Sequence, residues 1–178
     1  MALRPAIAIV TLAALSIVAV AWLVLALSQG ERSTILDAAP PPPSDTEMFA
    51  HWEKARPALD RITAMLREDP ALNRLGLTWS DPAEPHRAHI DEERIAAYRE
   101  QMKEAGIISF GRGHRSIHFL FHARDDAPRA PRKGYVRGEY SPQAVVVDSD
   151  LDQAALTRPK TLLQRPIADG WWLQRDGT

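Results

Sequence analysis

Apolar residues run almost unbroken from Ala6 to Leu27, AIAIVTLAALSIVAVAWLVLAL, with only Thr11 and Ser16 polar. A helix over this run is about 33 Å long, matching a hydrocarbon core of about 30 Å. It lacks the polar stripe of a soluble amphipathic helix. The pattern predicts a single transmembrane anchor, with Trp22 near its C-terminal interface. The competing reading is a cleaved secretory signal, for which Ala26-Leu27-Ser28 supplies a small-x-small site. The apolar stretch is longer than the roughly 7–15 residues of such signals. Either reading exports the remainder of the chain. Arg4 before the run and Arg32 after it set a weak charge asymmetry. With the short leader, this places the N-terminus inside and the rest outside the cytoplasm of a single-pass inner or plasma membrane protein.

Residues 28–45 read as a juxtamembrane linker. Pro40 to Pro43 favour polyproline II and add roughly 12 Å of stiff reach. Periodicity resumes at Ser44, which with Glu47 forms a capping-box signature. Met48, Phe49, Trp52 and Ala55 then recur at helical spacing. Pro57 is expected to end or kink this helix and to open a second, whose apolar face is Leu59, Ile62, Met65 and Leu66. Residues 70–90 read as loop, with Leu75, Leu77 and Trp79 tucked into the core. Asp91 is the N-cap of a further helix bearing Ile95, Tyr98, Met102 and Ala105, and Gly106 stops it.

Beyond Gly106 the period changes from helix to strand. Ile107 to Phe110 lead into a Gly111-Arg112-Gly113 turn. From Ser116 to Ala123, Ile117, Phe119 and Phe121 take one face and His118, Leu120 and His122 the other. Gly134 to Tyr140 and Ala144 to Val147 are further strands, and Leu151 to Leu156 a short helix. Leu162 to Ile167 and Trp171 to Gln174 form a terminal hairpin, with Trp171 facing in and Trp172 out. The expectation is an α+β domain over residues 46–178, with two or three helices packed on an antiparallel sheet.

Composition narrows the chemistry. In 178 residues there are 22 Lys+Arg and 23 Asp+Glu, so nucleic acid is not an expected partner. No cysteine is present, which excludes disulfides, a thiol nucleophile and lipid attachment at Cys. Five of the 6 histidines lie between His86 and His122. His86, His89, His118 and His122 are the candidate metal ligands. On a strand, however, His118 and His122 stand about 13 Å apart. The default is a polar sheet face with solvated loop histidines, and no cofactor is expected.

Other constellations read more simply. Asp148-Ser149-Asp150-Leu151-Asp152 resembles the opening of a calcium loop, but Gln153 and Pro159 occupy the positions that need Gly and Glu. A helix cap explains it better. No G-x-S-x-G elbow accompanies Ser149. Arg112 and Arg115, in a Gly-rich turn, are candidate anion ligands. Arg124, Arg129, Arg132, Lys133 and Arg137 form a basic stretch whose default is a solvated loop. An outward Trp172 is a candidate contact for a protein or a sugar.

Lys133-Gly134-Tyr135-Val136, Arg165-Pro166-Ile167 and Gly170-Trp171-Trp172-Leu173 resemble short stretches of uncharacterised, membrane-anchored bacterial proteins. The resemblance implies no assigned activity and carries over no functional residue. The leading functional expectation is a non-catalytic envelope module. It would be held in the bilayer through residues 6–27 and bind a protein or cell-wall partner. The alternative is a metal-assisted hydrolase using the histidines of the 86–122 stretch.

Overall fold

The computed structural model describes residues 41–123 and 131–177. The expected anchor at residues 6–27 and most of the expected linker lie outside the described residues. Among the described residues, no helix is long and apolar enough to cross a membrane.

The domain is α+β. Among the described residues three α-helices, α1 (Asp45–Glu68), α2 (Glu92–Glu104) and α3 (Leu151–Thr157), accompany eight strands. In chain order these are β1 (Arg74–Gly76), β2 (Ser80–Asp81), β3 (Ser109–Arg112), β4 (Ser116–His122), β5 (Arg132–Gly138), β6 (Val145–Val146), β7 (Leu163–Ala168) and β8 (Trp171–Asp176). They form one sheet in the order β2-β1-β3-β4-β5-β8-β7-β6. Every pairing is antiparallel except β6 with β7.

Helix α1 starts where its chemistry says it should. Ser44 Oγ accepts from Glu47 N–H, and Glu47 Oε2 accepts from Ser44 N–H at 2.8 Å. The helix then runs unbroken through Pro57, where the sequence predicts a break. Burial decides this. Met48, Trp52, Ala55, Leu59, Ile62 and Leu66 form one continuous apolar stripe across the proline. Pro57 itself is exposed, so its missing N–H disturbs only the solvent side. Helix α2 follows its expectation: Asp91 accepts from Arg94 N–H, and Gly106 adopts φ 63° beyond its end.

All three helices lie on one face of the sheet. Leu75, Phe110, Phe119, Tyr135, Trp171, Leu173 and Leu163 project from the strands into the same cluster as Trp52, Tyr98 and Leu151. Trp171 packs edge-on against Trp52 and stacks with Phe119, with centroids 6.0 and 5.8 Å apart. Burying these rings is the main favourable contribution to the fold.

Three further expectations need correction. Residues 70–90 are not all loop: β1 and β2 make an edge hairpin through Gly76 N–H to Trp79 O. Leu75 is buried, but Leu77 and Trp79 are 51% and 44% exposed, because they occupy the hairpin's turn and outer side. The Gly111-Arg112-Gly113 segment does not turn at its centre. Strand β3 continues through Arg112, and the reversal comes at residues 113–115.

Candidate functional site

Alternation along β4 turns Phe119 inward, towards the helices, and His118 and Leu120 outward. The outer face is divided. Over β5, β8 and β7 it is covered by the segment after β5: Ser141 N–H donates to Gln164 Oε1 at 2.9 Å, and Tyr140 sits edge-on to Trp172. Val136 and Gln164, both outward-facing, are therefore buried. From β1 across β3 and β4 to the adjoining ends of β5 and β8 the face is open. There it forms a groove of about 270 Å³ whose lining includes Arg74, Trp79, His118, Gly134 and Gln174.

His118 is held firmly on this face. Its Nε2 lies 3.0 Å from Ser116 Oγ, and the Gln174 side chain favours its charged form. Gln174 Oε1 in turn accepts from Gln164 Nε2 at 2.8 Å. Burial holds the His118 pKa below its ordinary value despite the opposing effect of Gln174, so the ring is neutral at pH 7. A serine and a neutral histidine in contact, with a third group orienting the base, resemble a nucleophile pair. Gly113 argues against that role. A Cβ there would lie 2.6 Å from Ser116 Oγ and 3.0 Å from His118 Nε2, so the turn backbone sits directly over the pair.

The other candidate ligands are dispersed. His86 lies in a 3₁₀ turn (Pro85–Ala88), its ring 70% exposed and 3.8 Å from the Glu84 carboxylate. His89 follows the turn with φ 61°. The β4–β5 register shifts between Leu120 and His122, so His122 pairs with Lys133, whose side chain points to the helix face. The period-two rule thus no longer puts His122 beside His118. His122 Nε2 is buried without a hydrogen-bond partner. Among the described residues, the only acidic or histidine group gathered tightly enough for a metal is Asp45, Asp150 and Asp152, which contains no histidine.

That acidic group is already supplied with cations. Lys133 Nζ lies 3.2 Å from Asp45 Oδ1 and 2.5 Å from Asp152 Oδ2, and it donates to Pro43 O at 2.7 Å. Arg165 reaches Asp45 and Arg175 reaches Asp152, at 3.2 and 3.1 Å. Asp45 Oδ2 also accepts from Leu151 N–H. Lys133 is therefore a buried counter-ion at the meeting of α1, α3 and β5, not a solvated loop residue. Asp150 is the α3 cap, accepting from Asp152 and Gln153 N–H. The sequence hides this network because its members are scattered through the chain. Asp45 reads as a helix-start residue, Lys133 as one of several bases, and only the fold joins them.

The two candidate arginines differ. Arg112 donates to the carbonyl oxygens of Leu72 and Asp69 at 2.7 and 2.9 Å, and also to that of Leu66. It thereby ties together carbonyls of the last turn of α1 and of the chain just beyond it. Arg115 pairs with Glu139 at 3.1 Å on the surface. Trp172 is partly buried: its Nε1 donates to Gly138 O at 3.0 Å and Tyr140 covers its edge. Among the more exposed large apolar side chains are Trp79 and Tyr140, neither of which stands out as a site residue in the sequence.

His51 is a further histidine that the sequence pattern does not single out. Its Nδ1 is 2.8 Å from Tyr135 Oη, which donates to Met48 O at 3.0 Å. Burial and nearby Lys54 lower its pKa, and burial raises that of Tyr135. The chemistry is structural, linking α1 to β5. Comparisons with protein families, with curated proteins and with solved structures find no match.

Proposed function

We propose that this chain is a membrane-tethered envelope module that binds a protein or cell-wall partner through the open outer face of its sheet. The observation that carries this reading is the division of the sheet. Its helix face is closed by a core, whereas the outer face from β1 across β3 and β4 keeps a groove lined in part by Trp79 and Arg74. A half-exposed indole beside a guanidinium group is the kind of anchor that dominates contact energies. The apolar run at residues 6–27 supports a tether, and the prolines at 40–43 support a spacer.

The hydrolase alternative draws no support from geometry, since the described histidines do not converge on a shared point. The test is site-specific photocrosslinking of the full-length chain in intact membranes. Probes at Arg74 and Trp79 should give a discrete adduct. A probe at Glu53, exposed on helix α1 and so on the opposite side of the sheet, should not. Equal labelling from both faces would refute the proposed surface. Protease added outside spheroplasts should degrade the domain; protection would reverse its orientation.

A further inference from the structure

Trp79 stands between two depressions. On one side is the outer-face groove. On the other is a cleft of about 630 Å³ bounded by Thr78, Glu84, His86, Glu92 and Arg99. Small-molecule sites typically span about 300–1,000 Å³. The indole lies flat against the β1 backbone: a Cβ on Gly76 would come 2.3 Å from its Nε1. Gly76 thus makes the seat, and the ring keeps 44% of its surface in solvent. The Arg74 guanidinium lies over part of the ring, its carbon 5.3 Å from the centroid.

The surroundings select among ligands. Ile90 and Ile95 at the cleft floor are only 3% and 7% exposed, so no deep apolar hole awaits an aliphatic side chain. Charges of both signs line the rim, with Glu84 and Glu92 against Arg99, so no positive field is set for a phosphate. What remains is a flat apolar platform ringed by side chains that between them donate and accept hydrogen bonds. A pyranose has the matching chemistry. Its C–H face stacks on an indole, while its equatorial hydroxyls donate and accept around the edge.

We propose that Trp79 is the stacking platform of an oligosaccharide site, with Glu92 and Arg99 orienting the sugar hydroxyls. This rests on the binding-module reading and names cell-wall glycan as the partner's chemical class.

The test is calorimetric titration of the full-length chain with β-1,4-linked N-acetylglucosamine tetrasaccharide and with cellotetraose. At least one should bind. Trp79→Ala should weaken binding by about 10-fold or more, Trp79→Phe should restore part of it, and Tyr140→Ala should change nothing. Circular dichroism would confirm that each variant is folded. Wild-type affinity in Trp79→Ala, or no binding of either sugar, overturns the glycan site. A discrete adduct in the photocrosslinking experiment without sugar binding would overturn the glycan site alone. Absence of both would overturn the module reading as well.

Discussion

Lys133 Nζ lies 3.2 Å from Asp45 Oδ1, with side-chain exposures of 0% and 2%. An ion pair so far from water is sensitive to the loss of either member, because the survivor is left charged and buried. Asp45→Ala would also orphan the Leu151 N–H and remove the partner of Arg165. A loss of about 3–5 kcal/mol is expected, read from urea denaturation. Arg175→Gln, which leaves Lys133 its contacts with both Asp45 and Asp152, should cost much less. Equal effects from the two changes would mean that the network is not centred on Lys133.

The terminal hairpin offers a contrast between neighbours. Trp171 is 1% exposed, within the cluster that includes Trp52 and Phe119. Trp172 points the other way and is anchored by its Nε1 bond to Gly138 O. Trp171→Ala should cost about 3–5 kcal/mol through loss of buried area and the cavity left behind. Trp172→Ala should cost about 1–2 kcal/mol, from one hydrogen bond and partial burial. Paired thermal melts decide it; the reverse order would overturn the assigned strand phase.

That phase is legible in the chain because Trp171 and Leu173 alternate with Trp172 and Gln174. The same holds for Ile117, Phe119 and Phe121, and for the caps at Ser44 and Asp91, whose signals are local. Pro57 misleads because its helical cost is local while the stripe of Ala55, Leu59 and Ile62 that overrides it is tertiary. Leu77 and Trp79 look like core by composition. Only the pairing of β1 with β2 shows them at an edge turn. The Lys133 network and the His118–Gln174–Gln164 relay join residues far apart in sequence, and periodicity carries no information about such meetings.

Stability should depend on pH through two histidines. His51 and His118 both have pKa values lowered from the ordinary 6.5, chiefly by burial. Just below that value the unfolded chain binds protons that the folded chain refuses, so stability rises with pH. Their contribution is complete above about pH 6.5 and is lost as pH falls towards the folded pKa values. The thermal unfolding midpoint should decrease as the pH is lowered from about 7 to about 5. His118→Gln should flatten that slope. An unchanged slope in both His51→Gln and His118→Gln would show that other groups govern it.

Arg112 and Arg115 separate a structural cation from a surface one. Arg112 reaches three carbonyl oxygens around the end of α1, those of Leu66, Asp69 and Leu72, of which Asp69 O also accepts from Leu72 N–H. Hydrogen bonds from a charged donor are worth about 1.5–3 kcal/mol each, and removing the donor leaves partly buried acceptors unsatisfied. Arg112→Ala should therefore cost about 2–4 kcal/mol in all, less than the sum, because water can replace some of the lost contacts. Arg115 pairs with Glu139 where the two side chains are 67% and 57% exposed. Such pairs contribute about 0–1 kcal/mol, so Arg115→Ala should be nearly silent. Chemical denaturation at low salt and at about 1 M salt tests both halves. Salt should erase the small Arg115 effect and leave the Arg112 effect largely intact, since screening acts on exposed charges. If phosphate instead stabilised the wild type strongly and the Arg112→Ala variant not at all, Arg112 would be an anion ligand and its carbonyl contacts secondary.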